Sequence, residues 1–205
     1  MNEALNAFVV LFIVLDPIGV AWIFASLTAS DAPRVQLRMA FRGIALAGTI
    51  LYVFFFLGDT LLNWMGISLP AFRIAGGILL FLLSLEMVFA RQSGLRSTTR
   101  GEQYEAEHKQ YISVFPLAFP LLAGPGALTT VMLMTGQTQT STDRLMMSLV
   151  ILAVIVVSLV ILLLAQKLSR LLGQTGANVI SRLLGLILAA LAVQFVIDGI
   201  RQSIA

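Results

Sequence analysis

Apolar runs of about 20 residues follow one another along this chain with only short polar joints between them, and that pattern fixes the solvent in which it folds. Crossing a hydrocarbon core of roughly 30 Å takes about that many apolar residues, and several such runs in one chain describe a polytopic membrane protein. The runs fall near residues 4–28, 43–58, 69–90, 111–135, 145–166 and 182–199, so an all-α fold of six transmembrane helices is expected. The second run is short, and Arg38 and Arg42 are expected to extend it while their charges reach the headgroups. Only 11% of the 205 residues are charged, less than half of the roughly 25% of a soluble domain.

Charge placement sets the topology. Arg34, Arg38, Arg42, Arg91, Arg96, Arg100, Lys109, Lys167, Arg170 and Arg182 fall on one side of these runs, and Arg73, Arg144 and Arg201 on the other. The richer side is expected to be cytoplasmic, which turns both termini outward. The net charge of +3 therefore reads as a topology signal, and nucleic acid is not an expected partner. The opening Met1-Asn2-Glu3 lacks the basic flank of a signal peptide, so the first run is expected to stay in the membrane. The chain has no cysteine, which excludes disulfides, thiolate metal sites and cysteine nucleophiles.

The longest polar stretch, 91–110, carries Ser93-Gly94, Arg100-Gly101, Glu102, Glu105 and Glu107, and reads as a cytoplasmic linker between residues 1–90 and 111–205. Its lone His108 has no partner at metal-ligand spacing, and no metal site is expected. Three helices on each side of the linker force the second half to enter the membrane from the opposite face, so any repeat is inverted. A repeat is visible. Arg73-Ile74-Ala75-Gly76-Gly77 opens the third helix as Arg182-Leu183-Leu184-Gly185 opens the sixth, and Asp16-Pro17 in the first helix matches Gly124-Pro125 in the fourth. Inverted repeats with interrupted helices at corresponding positions point to a secondary transporter and to its binding site.

Proline lacks a backbone donor and clashes with the preceding turn, so Leu15-Asp16-Pro17-Ile18-Gly19 and Leu122-Ala123-Gly124-Pro125-Gly126 should each break their helix near mid-bilayer. Unwound backbone survives there only inside protein or beside a wet cavity. The candidate site is thus Asp16, Pro17, Ile18 and Gly19 with Gly124, Pro125, Gly126 and Thr129, in which Gly124 and Gly126 share a cavity with Ile18 and Gly19. Free N–H groups after each break suit a carboxylate and free carbonyls before it suit an ammonium, so a small zwitterionic solute is the expected ligand. Kinks that serve only helix packing are the competing reading of the same prolines and glycines.

Asp16 is an ionisable group at membrane depth, a functional candidate by default, and Asp before Pro is equally the start of a helix. Glu86 and Gln194 are candidates for coupling or polar support. No cofactor is expected, and whether a proton or sodium ion couples transport is left open. No nucleotide-binding loop, zinc-binding His-Glu motif or Gly-x-Ser-x-Gly occurs, so neither ATP drive nor hydrolytic chemistry is expected.

Phe12 to Gly19, Phe72 to Leu80, Pro116 to Ala127 and Arg182 to Gly199 together resemble the MarC family of bacterial and archaeal inner membrane proteins. The resemblance covers nearly the whole chain and implies a transporter of small neutral amino acids such as glycine or alanine. One departure stands beside the first break: where the family often continues Asn-x-Pro, this chain has Val20-Ala21-Trp22. The leading expectation is a secondary carrier working by alternating access in the inner membrane. A non-transporting regulatory or assembly protein and a channel are the alternatives, and oligomeric state is not legible.

Overall fold

A computed structural model describes residues 2–89, 113–136, 138 and 140–204, so the 91–110 linker and its His108 lie outside the described residues. Every regular element among them is helical: α1 (Asn2–Leu15), α2 (Pro17–Leu27), α3 (Pro33–Trp64), α4 (Leu69–Phe89), a π-helical segment π1 (Ser113–Leu122), α5 (Pro125–Gly136), α6 (Ser141–Leu163) and α7 (Ala165–Ile204). Five stretches are long and apolar enough to cross a bilayer, at 3–27, 33–64, 69–89, 141–163 and 175–204. The fourth expected crossing is in two shorter pieces. At 1.5 Å per residue the 12 residues of α5 span about 18 Å, little more than half a hydrocarbon core.

Local chemistry sets the joints. Thr28 ends α2 by donating its hydroxyl to the Phe24 carbonyl at 2.7 Å. Gln36 then donates from Nε2 to the carbonyls of Thr28 and Asp31, at 2.7 and 3.0 Å, which ties α3 back to α2. Pro33 opens α3 at its first position, where a missing N–H costs nothing. The 32 residues of α3 carry Arg34, Arg38 and Arg42 exposed on its first turns, so the extension read from the sequence holds and goes further. Gly66 takes φ +68 after α3, a left-handed turn that suits glycine. Thr140 and Asp143 exchange side-chain and backbone bonds at 3.1 and 3.0 Å to cap α6.

The last helix is longer than the expected 182–199. It runs from Ala165 to Ile204 with one interruption at Gly173 (φ 61, ψ 179), so Lys167 and Arg170 stand on a short helical stretch instead of in a loop. Polar residues from 166 to 176 hid this, because they remove the apolar pattern without removing helix propensity.

The interrupted elements form the centre. In α5 the residues from Thr129 to Thr135 are buried in succession, which means protein on every side, and Leu11, Val14, Val20 and Phe24 of α1 and α2 are sealed in the same core. The outer helices instead present Phe56, Leu57, Leu149, Val156 and Leu186 outward. An apolar perimeter around an apolar core fits lipid and not water.

The packed pairs follow a pattern. α3 packs on π1 and α5 as α6 packs on α1 and α2. α4 packs on α5 as α7 packs on α2, and α1 packs on α5 as π1 packs on α2. Finally α3 meets α6, and α4 meets α7 along its length. Exchanging the elements of the first half with their counterparts in the second maps these pairs onto one another, whereas α1 also packs on α7, and α5 on α6, without an equally close counterpart. The α4–α7 pair is antiparallel and close: a Cβ on Gly77 would lie 2.8 Å from the Ala192 carbonyl oxygen, one on Gly185 2.7 Å from the Met87 Cβ, and one on Gly199 2.9 Å from the Pro70 carbonyl oxygen.

Candidate functional site

At the first break the backbone turns through a single residue. Asp16 adopts φ 45, ψ 59, a left-handed conformation that Asp tolerates better than most residues, and Pro17 restarts the helix at its first position. The Asp16 N–H still donates to the Phe12 carbonyl at 3.0 Å, and its own carbonyl accepts from Val20 at 3.0 Å. Its carboxylate, 2% exposed, accepts from the Gly19 N–H at 3.1 Å. Asp16 therefore caps α2, with its carboxyl group set against the positive end of that half-helix. A Cβ on Gly19 would strike this carboxylate, so glycine here makes room for the cap.

At the second break Gly124 occupies the place of Asp16 and offers no side chain. The Ala123 N–H reaches five residues back to Ala118 at 2.8 Å, and the Leu128 N–H bonds to the Gly124 carbonyl at 3.0 Å as α5 begins. Among the described residues no side chain caps the first turn of α5. The first two of the three hydroxyls of that helix are spent on its own backbone: Thr129 donates to the Pro125 carbonyl and Thr130 to the Gly126 carbonyl, each at 2.9 Å. The methyl of Thr129 rests where a Cβ of Gly76 would be, which brings α4 and α5 into close approach.

The breaks are neighbours. A Cβ on Gly126 would lie 3.5 Å from Val14 Cγ1, 2.7 Å from Leu80 Cδ2 and 3.5 Å from Leu83 Cδ2. Gly124, Pro125 and Gly126 line a cavity of about 20 Å³ together with Val14, Leu83, Pro120 and Ala127. That volume holds about one water. Ile18 and Gly19 are not part of its wall; the first half contributes Val14, just before its break.

A second cavity of about 570 Å³ opens at the end of the bundle where α1 starts and α6 begins. Glu3, Asn6, Thr138, Thr140 and Asp143 stand in its wall, and it descends between α1, α5 and α6 to Val10, Thr130, Met134 and Met147. Val10 and Thr130 are each four residues, one helical turn of about 6 Å, from Val14 and Gly126 of the small cavity. The two spaces are thus stacked along the α1–α5 seam. Sequence reasoning missed this larger space, because its wall is assembled from four helices; the polar Asn6 inside an apolar run was the one available signal.

Glu86 is half-buried one turn before the end of α4. Gln194 is exposed on α7 and donates to Asp198 at 2.9 Å. Neither of the two lines the cavity at the second break. Val20, in the place of the family's Asn, is completely buried.

These features define a polytopic, all-helical membrane protein with two interrupted helices at its centre and a cavity leading toward them. The chain belongs to the MarC family of integral membrane proteins, whose family model matches residues 1–204. It is 37% identical over 198 residues to the UPF0056 membrane protein MJ1677 of Methanocaldococcus jannaschii, covering 97% of this chain and 96% of the relative. It is 35% identical over 203 residues to the UPF0056 inner membrane protein YhgN of Escherichia coli, covering 98% of each. A UPF0056 membrane protein of Aquifex aeolicus is 35% identical over 201 residues, 96% of this chain and 92% of that protein. No solved structure matches this chain.

Proposed function

We propose that this protein is a secondary carrier for small neutral amino acids of the glycine or alanine type, working by alternating access of two inverted halves. One observation carries the reading: the 570 Å³ cavity stops one helical turn short of the cavity at the second break. An open path that ends at a nearly closed space beside unwound backbone is what one face of an alternating-access cycle requires. The correspondence of the larger packed pairs under exchange of the halves and the antiparallel α4–α7 contact support inverted three-helix repeats.

The two breaks differ in charge, and the difference suits a zwitterion. Asp16 already neutralises the positive end of α2, which makes the first break a place for an ammonium. Among the described residues the first turn of α5 has no side-chain cap, so its amides and dipole remain for a carboxylate. A cavity of one water's volume must widen before an amino acid fits, and rocking of the halves supplies that change. A non-transporting membrane protein is the second reading, favoured by the tight contacts of Gly126 and the capping role of Asp16. Proteoliposomes separate the two: the carrier takes up labelled glycine or alanine against an internal pool of the same solute, and absence of counterflow with any small amino acid rejects it.

A further inference from the structure

Arg73 has no role in the site so far. It stands on the second turn of α4 and is only 6% exposed, and among the described residues it has no hydrogen bond and no ion pair. Its nitrogens are not among the unpartnered polar atoms sealed away from accessible space, so the guanidinium is withdrawn from bulk yet still reachable. A buried, unpaired arginine in a membrane protein is strongly unfavourable and marks a place where an anion belongs. Arg182, the counterpart of Arg73 in the repeat, is exposed, so the repeat does not account for this burial.

Register locates it. On α4, Leu69, Gly76 and Leu80 face Gly136, Thr129 and Gly126 of α5. Arg73 belongs to the same stripe and lies opposite Leu133, which is part of the wall of the large cavity. On the α7 side, Gly77 meets Val196, next to Phe195 of the same wall. Arg73 thus stands on the face of α4 that packs against α5, level with Leu133 of the cavity wall and just behind that wall. From there to the level of Leu80, which touches Gly126, is seven residues, about 10 Å.

The geometry points to Arg73 as a binding residue for the carboxylate of the incoming solute, held on the way from the large cavity to the second break. A guanidinium grips two carboxylate oxygens in parallel, which selects carboxylate-bearing solutes over their amides. This rests on the carrier reading for its place in the cycle. The binding itself is testable without transport.

The test compares wild type, R73K and R73M, purified and reconstituted, by thermal unfolding with L-alanine, propionate or L-alaninamide and by alanine counterflow. Alanine and propionate raise the wild-type melting temperature and alaninamide does not. R73M abolishes that shift and raises the alanine KM by about tenfold to a hundredfold, the size of one charge-assisted pair. R73K keeps part of the effect, and carries the test alone if R73M does not fold. An unchanged carboxylate shift in either variant overturns the inference while wild-type counterflow leaves the carrier intact. An Arg73-dependent propionate shift without wild-type counterflow sustains the carboxylate site and removes the carrier. Stabilisation of wild type over R73M by phosphatidylglycerol vesicles, with no carboxylate effect, assigns Arg73 to a lipid phosphate and overturns the proposal.

Discussion

Val14 stands against Gly126, its Cγ1 3.5 Å from the place a Gly126 Cβ would occupy, and this contact joins the two helix breaks. The missing side chain of Gly126 points at Val14, Leu80 and Leu83, so glycine here serves close packing as well as the cavity wall. Gly126→Ala should cost less than about 1 kcal/mol, because its nearest obstacle, Leu80 Cδ2 at 2.7 Å, is the free end of a flexible side chain. Gly76→Ala should cost more, about 2 kcal/mol, because its Cβ lands on the methyl of Thr129, a β-branched side chain tied to the Pro125 carbonyl. Thr129→Ser should rescue Gly76→Ala, since it keeps the hydroxyl and removes the methyl. Thermal unfolding of the purified variants measures all three, and equal losses for the two alanines would refute the assignment.

Asp16 combines a cap with a charge, and two substitutions separate them. Asn keeps an acceptor for the Gly19 N–H and tolerates the left-handed backbone, so Asp16→Asn should fold with little change in melting temperature yet lose transport if the charge binds an ammonium or coupling ion. Asp16→Ala loses the cap and strains the φ 45 backbone, a cost of about 2 kcal/mol. Normal counterflow by the Asn variant would leave Asp16 a purely structural role.

The absence of cysteine allows the cavity to be mapped by single cysteines. Cysteines at Asn6, Thr138 and Met147, in the wall of the 570 Å³ cavity, should react with a charged, membrane-impermeant thiol reagent from one side of the membrane only. Cysteines at Asn2 and Ser203 should label from that same side, since Glu3 and Phe195 share the cavity. By the charge count that side is the outer one. Labelling of Asn2 and Ser203 from opposite sides would contradict the topology.

Much of the architecture was legible because lipid leaves few options. Apolar length gives the spans, and proline at Pro17 and Pro125 gives the breaks, since neither effect needs a tertiary partner. Asp16 as cap could be read from Asp-Pro alone. What the sequence hid depends on neighbours. The limits of α3 and α7 run past the apolar windows because charged and polar residues continue both helices beyond the core. The donation of the Thr129 hydroxyl to the Pro125 carbonyl is set by local helix geometry, which the residue type alone does not reveal. Arg73 counted only as a topology charge at the opening of the third helix, and its burial shows only once α4 is packed against its neighbours.

Leu121 lines the small cavity at the second break and is 3% exposed, which makes it the sharpest probe of alternating access. A single cysteine at Leu121 should react with the impermeant reagent from either side of the membrane, and L-alanine should slow labelling from both. A cysteine at that position that reacts from neither side, or whose reaction ignores alanine, would contradict a solute path through the paired breaks.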